Sequence, residues 1–280
     1  MYVSSAQPYL DDFDQTKKFY RILFRPGRAI QARELTQLQT IIQNQLKNFG
    51  SNIFKEGSIV VPGAQFYEKN YNYVKLQDSY NAVAANGVLS SLLGEIVQGQ
   101  TTGMRAKIVS AVESTNLDPP TIYVQYLDSG NTCSYKVFES NEILTQVTAV
   151  ATPISVRVDT SNATGFGSAY NISSGIIFVK GVFAYFDNST IILSKYNQQT
   201  SDIRVGFKIT ESVIDSDDDS SLLDPAVGSS NYFAPGADRY KLDLELELRA
   251  LTFNSTIEDA NFIELMRIQN NAIIYSKPLS

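Results

Sequence analysis

Acidic side chains at alternating positions are the first candidates for chemistry in this sequence of 280 residues. Asp215, Asp217 and Asp219 have the spacing with which an EF-hand calcium loop begins. Such a loop needs glycine at its sixth position and glutamate at its twelfth, where this chain has Ser220 and Ala226. The pattern therefore favours a solvated acidic turn over a calcium site.

A second group of carboxylates lies in KLDLELELRAL, residues 241–251. Glu245 and Glu247 share one face of a predicted strand, and paired carboxylates roughly 5–9 Å apart can cleave glycosides. Lys241 and Arg249 flank them on that face, while leucines alternate on the other. This pattern is typical of an ordinary charged sheet surface, so we predict no catalytic residue and no enzymatic activity.

Arginine and glutamate cluster in FRPGRAIQARELTQLQ, residues 24–39. The Pro26-Gly27 pair predicts a turn, and Arg28 or Arg33 would tie that turn to a carboxylate through paired hydrogen bonds. A nucleic-acid contact would need more cations and stacking aromatic rings nearby. We therefore predict a turn that anchors the start of a helix, formed by Pro26, Gly27, Arg28, Arg33 and Glu34.

Two residue types that often carry chemistry are scarce. The chain contains no histidine and a single cysteine, Cys133. This composition excludes Ser-His-Asp and Cys-His catalysis, histidine-ligated zinc, cysteine-based metal sites and an intrachain disulfide. We therefore predict no cofactor and no metal site.

The charge balance limits the classes of partner. Lysine and arginine number 23 against 29 acidic residues, which gives a net charge of −6. Phosphate binding needs clustered cations, so neither nucleic acid nor an anionic membrane surface is predicted as a partner. No apolar run approaches the ~20 residues that span a bilayer. The first residues, MYVSSAQPYLDDFD, lack the basic start and apolar core of a signal peptide.

A long helix is predicted directly after the Pro26-Gly27 turn, from about Ala29 to Phe54. Its apolar residues are three or four positions apart and form one stripe, with a spacing close to a heptad seam. Such a stripe packs either within its own domain or against copies of the same chain, and both interpretations stay open. The stripe, which is the candidate oligomer seam, consists of Leu35, Leu38, Ile42, Leu46, Phe49 and Ile53.

Two segments have no periodic pattern. Residues 1–19 are either a frayed terminus or an arm that orders on a partner. Residues 216–240 are rich in Ser, Asp, Pro and Gly and predict a long loop, and loops of this length are often functional.

Short apolar runs separated by turn residues predict strands through most of the remaining chain. The expected fold is mainly β with one long N-terminal helix, an α+β arrangement. The spacing of short strands near the middle predicts a small inserted β-barrel-like module at 85–150, between an N-terminal part at 1–84 and a β-rich part at 151–280.

Two local predictions concern glycine- and asparagine-containing segments. GFGSAY, residues 165–170, lacks the third glycine of a dinucleotide-binding loop and predicts a flexible turn. Residues 256–276 predict a short helix, started by Asn254 or Ser255, followed by an Asn-Asn turn and a last strand.

The sequence resembles a family of uncharacterised virion structural domains of tailed phages. FRPGRAIQARELTQLQTIIQNQ (24–45) resembles that family's N-terminal signature, and RVGFKITESVI (204–214) with DDSSLLDPAVGSSNYFAPGADRYKLDLEL (218–246) resembles its C-terminal signature. GIIFVKGVFAYFDNSTIILSKY (175–196) also fits. Residues 94–144 resemble a small β-module that recurs in phage tail and baseplate proteins.

The resemblance implies a non-enzymatic component of the phage tail, made in the host cytoplasm and located in the virion. Members sit at the baseplate or the base of tail fibres, so the expected function is an adaptor that links these parts. The expected partners are copies of the same chain, in a trimer, and other baseplate or tail-fibre proteins. The alternatives are a carbohydrate-binding or carbohydrate-cleaving tail protein and a head-to-tail or neck connector with a larger ring.

Overall fold

The computed structural model describes residues 5, 7–131, 133–147, 152–200, 202–251 and 260–278. The α-helices of this part are α1 at Ala32–Ile53 and α2 at Leu89–Leu92, and short 3-10 helices lie at Gln15–Lys17 and Ser220–Leu222. The first strands are β1 at Ser58–Val61, β2 at Gln65–Lys75, β3 at Ser79–Tyr80, β4 at Val83–Ala84, β5 at Ile96–Gly99, β6 at Arg105–Val112, β7 at Thr121–Tyr126 and β8 at Ile143–Gln146.

The strands that follow complete a mainly β chain, as predicted. They are β9 at Ser155–Arg157, β10 at Thr164–Ile172, β11 at Gly175–Val179, β12 at Val182–Phe186, β13 at Ser189–Ser194, β14 at Ile203–Ile214, β15 at Arg239–Ala250, β16 at Phe262–Gln269 and β17 at Ala272–Ser276.

The largest sheet has eight antiparallel strands and curls into a half-barrel. Its order is β13-β10-β2-β7-β6-β5-β8-β9. Residues 85–150 supply β5 to β8, and they join the rest of the chain where Tyr73 of β2 pairs with Tyr123 of β7. The core of this region consists of fully or almost fully buried side chains, among them Val74, Leu76, Leu92, Val97, Ile108, Ile122, Leu144 and Val158.

Two further sheets share a second apolar core. One has the order β1-β11-β12 and the other the order β15-β14-β16-β17. Strand β14 pairs with β15 along its whole length, from Ile203 opposite Ala250 to Ile214 opposite Arg239. The leucines of the alternating β15 pattern pack against this core, as its period of two predicts.

The prediction of a flexible turn at GFGSAY is wrong, because these residues lie in β10, an interior strand of the half-barrel. Its glycines make room for close neighbours. A Cβ atom at Gly165 would lie 2.7 Å from the Tyr73 hydroxyl, and one at Gly167 would lie 2.6 Å from the Ser194 carbonyl oxygen. Glycine therefore marks tight packing within a sheet here and not a turn.

The described residues also do not form the helix that was predicted from residue 256. Residues 252–259 lie outside the described part of the chain, and Phe262–Gln269 is strand β16. Its buried residues alternate and then shift by one at an irregularity of the pairing with β14, which disguises the period of two. The Asn270-Asn271 turn and the last strand, β17, are confirmed.

The long helix is a single helix that begins well inside the chain, at Ala32, and not at the N-terminus. The prediction placed its start at about Ala29. Gln31 remains extended at the N-cap position, and its backbone N–H donates to the Glu34 carboxylate at 3.0 Å. This reach-back contact stabilises the first turn and sets the boundary.

Candidate assembly surface

Helix α1 is fixed to the rest of the chain near its C-terminal end. Gly50 packs on Phe178 of β11, and a Cβ atom there would lie 2.6 Å from the phenylalanine ring. Phe54 follows the helix and contacts the rings of Phe178 and Phe183, with centroid distances of 6.2 and 5.7 Å. The absence of a side chain at Gly50 therefore allows the helix to lie directly on the aromatic cluster.

The other end of α1 is held by the N-terminal arm, defined here as residues 7–17. Asp11 is 1% exposed, and its carboxylate accepts hydrogen bonds from the Thr40 hydroxyl at 2.5 Å and the Phe13 backbone N–H at 3.1 Å. The Gln37 amide donates to Asp12 at 2.9 Å. A buried carboxylate is stable only when it is hydrogen-bonded, so the arm lies ordered against the chain's own helix.

The arm also reaches the start of β15. The Tyr9 hydroxyl donates to the Asp238 carboxylate, and residues of the arm, α1 and β15 line a shared cavity of ≈ 570 Å³. Beside it, Glu211 accepts from the Tyr240 hydroxyl at 2.7 Å and pairs with Lys180 at 3.0 Å. The Tyr240 hydrogen bond, with the Lys180 contact, lowers the pKa of Glu211 below its ordinary value.

The loop between β14 and β15, residues 215–238, is ordered by its own backbone. Asp224 N–H donates to the Ala234 carbonyl at 2.9 Å, and Gly236 N–H donates to the Leu222 carbonyl at 3.0 Å. These bonds hold the tip in place while its apolar side chains face solvent. The exposed tip residues are Val227, Tyr232 and Phe233.

The apolar stripe of α1 is not covered by the described part of the chain. Its six residues are between 37% exposed, at Leu38, and 65% exposed, at Phe49. The buried residues of the helix are Thr40, Ile41, Asn44 and Gly50, which face the arm and the aromatic cluster instead. The monomer thus buries a more polar face of α1 and exposes the apolar one, the reverse of what a helix inside a domain does.

The stripe repeats at an interval of eleven residues rather than seven. Leu35, Leu38 and Ile42 recur as Leu46, Phe49 and Ile53, each eleven positions later. Three turns of an α-helix take close to eleven residues, so this stripe runs nearly parallel to the helix axis. The spacing fits straight, nearly parallel helices better than the left-handed supercoil of a heptad seam.

Apolar side chains also face solvent in residues 18–30, between the arm and α1. This segment has no helix or strand. Its exposed large apolar residues are Phe19, Tyr20, Leu23, Phe24 and Ile30. Together with the stripe they extend the uncovered apolar surface beyond the helix, and we call the two together the assembly surface.

The structure places the predicted turn and anchor residues beside this surface. Pro26 and Gly27 form the turn, with Gly27 at a φ of 81°. Arg33 donates to the Gln31 side chain at 2.6 Å and lies 3.8 Å from the Asp12 carboxylate, so it connects helix and arm by single contacts and not by a paired one. Arg28 is exposed, and it forms no salt bridge with a carboxylate of the described residues.

The acidic cluster at the start of the 215–238 loop serves the local backbone. Asp215 accepts hydrogen bonds from the backbone N–H groups of Asp217 and Asp218 at 2.8 and 3.2 Å. The Ser221 side chain and the Ser221 backbone N–H both donate to Asp219, and these hydrogen bonds lower the pKa of its carboxyl. Within the described ranges, no group of three or more His, Cys, Asp or Glu residues could hold a metal ion.

The carboxylates of β15 lie among neighbouring cations. Glu247 is 3.3 Å from Arg249, and Asp243 is 3.0 Å from Lys241. These are pairs along one strand, at a partly exposed sheet face. Their geometry is that of surface salt bridges, which contribute little to stability.

A groove of ≈ 1010 Å³ opens between β2 and the strands β6 and β7. Tyr71 stacks on Tyr123 at 5.4 Å where β2 and β7 meet, and burial raises the pKa of Tyr71 to about 12. Phe66 is 58% exposed at the groove, and Glu68 is the single carboxylate among the described residues that line it. The lining otherwise carries many side-chain amides and hydroxyls, among them Asn70, Gln125, Asn171, Asn188 and Thr190.

Sequence reasoning missed the buried carboxylates. Asp11 lies in residues 1–19, for which the sequence predicted only a frayed terminus or an arm that orders on a partner, and nothing in the sequence pointed to Thr40 as its hydrogen-bond donor. Glu142 is 2% exposed, and it accepts from the backbone N–H groups of Thr101, Thr102 and Glu139. It fixes the β5–β6 hairpin to the turn before β8. Both contacts join residues far apart in the chain, so no local pattern reveals them.

The family DUF4815, a domain of unknown function, matches residues 7–93 and 162–278. These ranges contain the arm, α1 and the β14–β15 loop, whereas β5 to β9 lie in the unmatched interval. No curated protein and no solved structure matches the chain.

In the described residues, no helix combines the length and apolar character needed to cross a bilayer. The two matched ranges together cover well over half of the 280 residues. The chain therefore belongs to the DUF4815 family.

Proposed function

We propose that this protein is a structural component of a phage virion that assembles into a symmetric homo-oligomer, a trimer, through the stripe of α1. The observation that carries this proposal is a 22-residue helix on which the six residues of the apolar stripe are all at least 37% exposed. Exposing such a row to water does not stabilise a monomer, whereas burying it against copies of the same chain stabilises an oligomer.

Covering the apolar stripe favours self-association of the chain. Full burial of a large apolar side chain contributes about 1.5–3 kcal/mol. Covering the exposed half of six such side chains therefore contributes on the order of 5 kcal/mol per chain. The exposed apolar residues of the 18–30 segment add to this surface, so three helices with their flanking segments offer an interface of useful strength.

The arrangement of the neighbouring elements supports an adaptor. The arm, α1 and the 215–238 loop meet at one cavity, and all three carry exposed apolar or polar groups near it. An oligomer built around α1 would therefore present arms and loops in a ring around its axis. Such a ring suits the docking of other tail or baseplate proteins, and it uses no nucleic acid, membrane or cofactor.

The virion location rests on the resemblance of two blocks, residues 24–45 and residues 204–214 with 218–246, to tailed-phage structural domains. Both blocks lie within the ranges that match the DUF4815 family. An adaptor between the baseplate and the base of tail fibres would need shape and stable association, which this chain offers, and no bond-breaking residues.

Carbohydrate binding is a second candidate function, favoured by the groove beside β2. Its exposed Phe66 ring could stack on a sugar face, and the surrounding amides could bind hydroxyl groups. Glycoside cleavage is less favoured, because the part of the lining that the structure describes has no second carboxylate beside Glu68.

The test of the oligomer is a single substitution on the stripe. Ile42→Asp would place a charge in the seam. We expect it to reduce the mass measured by light scattering from three chains to one, with at most a small fraction of trimer left. Asn48→Asp, at an exposed position of α1 off the stripe, is the matched control and should keep the wild-type mass. An Ile42→Asp protein at wild-type mass would refute the seam, and a mass well above three chains would favour a neck connector.

The virion location has its own test. Particles purified from an infection with the wild-type gene should contain the protein in a fixed ratio to other tail proteins, measured by quantitative mass spectrometry. Particles made with Ile42→Asp should lack it. Wild-type particles without the protein would refute the virion role while leaving the homo-oligomer intact.

A further inference from the structure

Three arginines lie side by side on the face of the four-stranded sheet that carries the charged residues of β15. Arg204 of β14 lies directly opposite Arg249 of β15 and, on its other side, directly opposite Arg267 of β16. The pairing of β14 with β15 is regular throughout. The irregularity in the pairing of β14 with β16 lies between Val205 and Gly206, and it leaves Arg204 and Arg267 as direct partners. The three guanidinium groups therefore form a row across the sheet.

This row differs from the rest of the same face. Within β14 and β15, the other directly opposite pairs on this face have either one charge or two opposite charges. Like charges directly opposite each other destabilise a sheet, whereas opposite charges stabilise it. Arg204 therefore has an unfavourable neighbour on each side. The contrasting pairs are Gly206 with Glu247, Lys208 with Glu245, Thr210 with Asp243 and Ser212 with Lys241.

The two outer arginines of the row have carboxylate partners on their own strands, and the middle one does not. Arg249 donates to Glu247 at 3.3 Å, and Arg267 donates to both carboxylate oxygens of Glu264, at 2.6 and 2.7 Å. Among the described residues, Arg204 forms no salt bridge, and its buried Nε atom has no hydrogen-bond partner. A partly buried charge without a partner is unfavourable.

The close approach of β16 explains why β14 supplies no carboxylate for Arg204. Gly206 occupies the position two residues along β14, in line with the glutamates of the two flanking strands. A Cβ atom there would lie 2.3 Å from the Ile263 carbonyl oxygen and 2.5 Å from the Phe262 ring. Glycine is therefore required at this point of the strand. As a result, the sheet brings together three guanidinium groups and two glutamates, an excess of one positive charge.

The aromatic contact of Arg204 does not replace a carboxylate. The centroid of the Phe262 ring is 4.1 Å from the guanidinium carbon of Arg249 but 5.8 Å from that of Arg204. The longer distance is close to the ≈ 6 Å limit of a cation–π interaction. Arg204 is also partly exposed, so a group from outside the chain can reach it.

We propose that Arg204 is the centre of a binding site for a carboxylate side chain of another protein chain. The planar guanidinium group binds a carboxylate through two parallel hydrogen bonds. One carboxylate neutralises the excess charge of the row, whereas a phosphate group, with a charge of about −1.5 to −2, would add negative charge beside Glu247 and Glu264. The inference does not rest on the proposed function, because none of these residues belongs to the assembly surface.

The commitment to a protein side chain follows from the exposure of the site. Ion pairs at partly exposed positions contribute little by themselves, so a free carboxylate occupies such a site only at high concentration. A carboxylate on a docked chain is held beside the arginine, and its effective concentration is higher. The contact then selects the partner and its orientation, because an unpaired charge opposes any partner that lacks an acid there.

The experiment is a titration with a dye-labelled hexaglutamate peptide, followed by fluorescence anisotropy at low ionic strength. We expect Arg204→Gln to raise the dissociation constant about ten-fold, because it removes a charge-assisted, two-fold hydrogen bond. Arg105→Gln is the matched control, since it removes the same charge from an exposed arginine that already pairs with Asp128, and it should change the constant by less than about two-fold. Wild-type protein that does not bind the peptide, or equal weakening by both substitutions, would overturn the proposal.

A conservative variant and two competitors define the ligand class. Arg204→Lys keeps the charge but loses the planar group, so its dissociation constant should rise several-fold. Wild-type affinity in this variant would overturn the paired carboxylate contact. Sodium acetate should displace the peptide from wild-type protein at least as well as sodium phosphate at equal ionic strength. Stronger displacement by phosphate would overturn the assignment of a carboxylate.

Urea unfolding without peptide gives a second readout that does not depend on binding. Arg204→Met keeps most of the apolar stem and removes a charge that lies between two like charges, so its urea midpoint should equal or exceed that of the wild type. A clearly lower midpoint would mean that the fold itself needs this charge, and it would overturn the inference. Neither result bears on the mass of the α1 oligomer, which is tested separately.

Discussion

Helix α1 and the strands β5 to β8 each carry a row of large apolar side chains. In the strands, Val97, Ile108, Ile122 and Leu144 are completely buried within the half-barrel region. In the helix, the row from Leu35 to Ile53 faces outward. The two rows have a similar composition, but one is buried within the chain and the other is exposed. An amphipathic pattern therefore shows that one face of an element is suited to burial, and it does not show which molecule buries that face.

The polar residues of the two regions differ in the same way. Glu142 joins two turns of the half-barrel region through hydrogen bonds with both of its carboxylate oxygens. Around α1, Asp11 and Asp12 join the arm to the helix at its flank and leave the stripe open. The polar contacts of the half-barrel region therefore stabilise that region itself. The polar contacts of the arm instead hold α1 with its apolar face outward.

The largest expected effect is a difference in stability between a variant of the buried row and a variant of the exposed row. Ile122→Ala should lower the free energy of unfolding by about 2–5 kcal/mol, because it leaves a cavity in a fully buried site. Ile42→Ala should change it by less than about 0.5 kcal/mol in dilute, monomeric protein, because that side chain is already solvated. Urea unfolding of both variants checks this. An equal loss of unfolding free energy in the two variants would mean that the stripe is covered within one chain.

A second prediction concerns the buried carboxylate of the half-barrel region. Glu142→Gln keeps the shape but turns an amide N–H₂ toward a backbone N–H, so the protein should lose about 1–3 kcal/mol of unfolding free energy. Glu139→Gln changes an exposed residue nearby and should be neutral. If the two variants have the same urea midpoint, the hydrogen bonds of Glu142 do not hold this region together.

A third prediction tests the attachment of α1. Gly50→Ala would bring a methyl group into the ring of Phe178, a cost of about 1–3 kcal/mol, and the better helix propensity of alanine offsets about 1 kcal/mol of it. The net loss should be about 1 kcal/mol, measured by urea unfolding. Ser51→Ala, at an exposed neighbouring position, should instead stabilise the protein slightly. A stabilised Gly50→Ala protein would show that the helix is not seated on the aromatic cluster.

The smallest expected effect is a pH dependence beside the arm. The hydrogen bond from Tyr240 holds the pKa of Glu211 below its ordinary value of 4.5, so the folded state favours the carboxylate. The stability from this contact is present above pH 4.5 and is lost as the pH falls through the lowered pKa. Tyr240→Phe should therefore be less stable than wild type at pH 7, with a smaller difference near pH 3. A difference that grows on acidification would contradict this assignment.

The sequence was sufficient for elements with strong local patterns. The alternation of residues 241–251 placed β15, and the spacing from Leu35 to Ile53 placed α1 within three residues at its start. The strand at GFGSAY was not predicted, because its glycines are required by close contacts with Tyr73 and Ser194, and both of these residues lie far from it in the chain. Strand β16 was missed because an irregularity in its pairing interrupts the alternation.

The amino-acid sequence by itself determined the mainly β character of the chain, the amphipathic helix with its stripe, and the absence of histidine, because periodicity and composition are local or additive properties. The tertiary structure settled which face of α1 is buried and which carboxylates are buried with partners. These features depend on contacts between distant residues, such as Asp11 with Thr40 and Gly50 with Phe178, and such contacts exist only once the chain has folded.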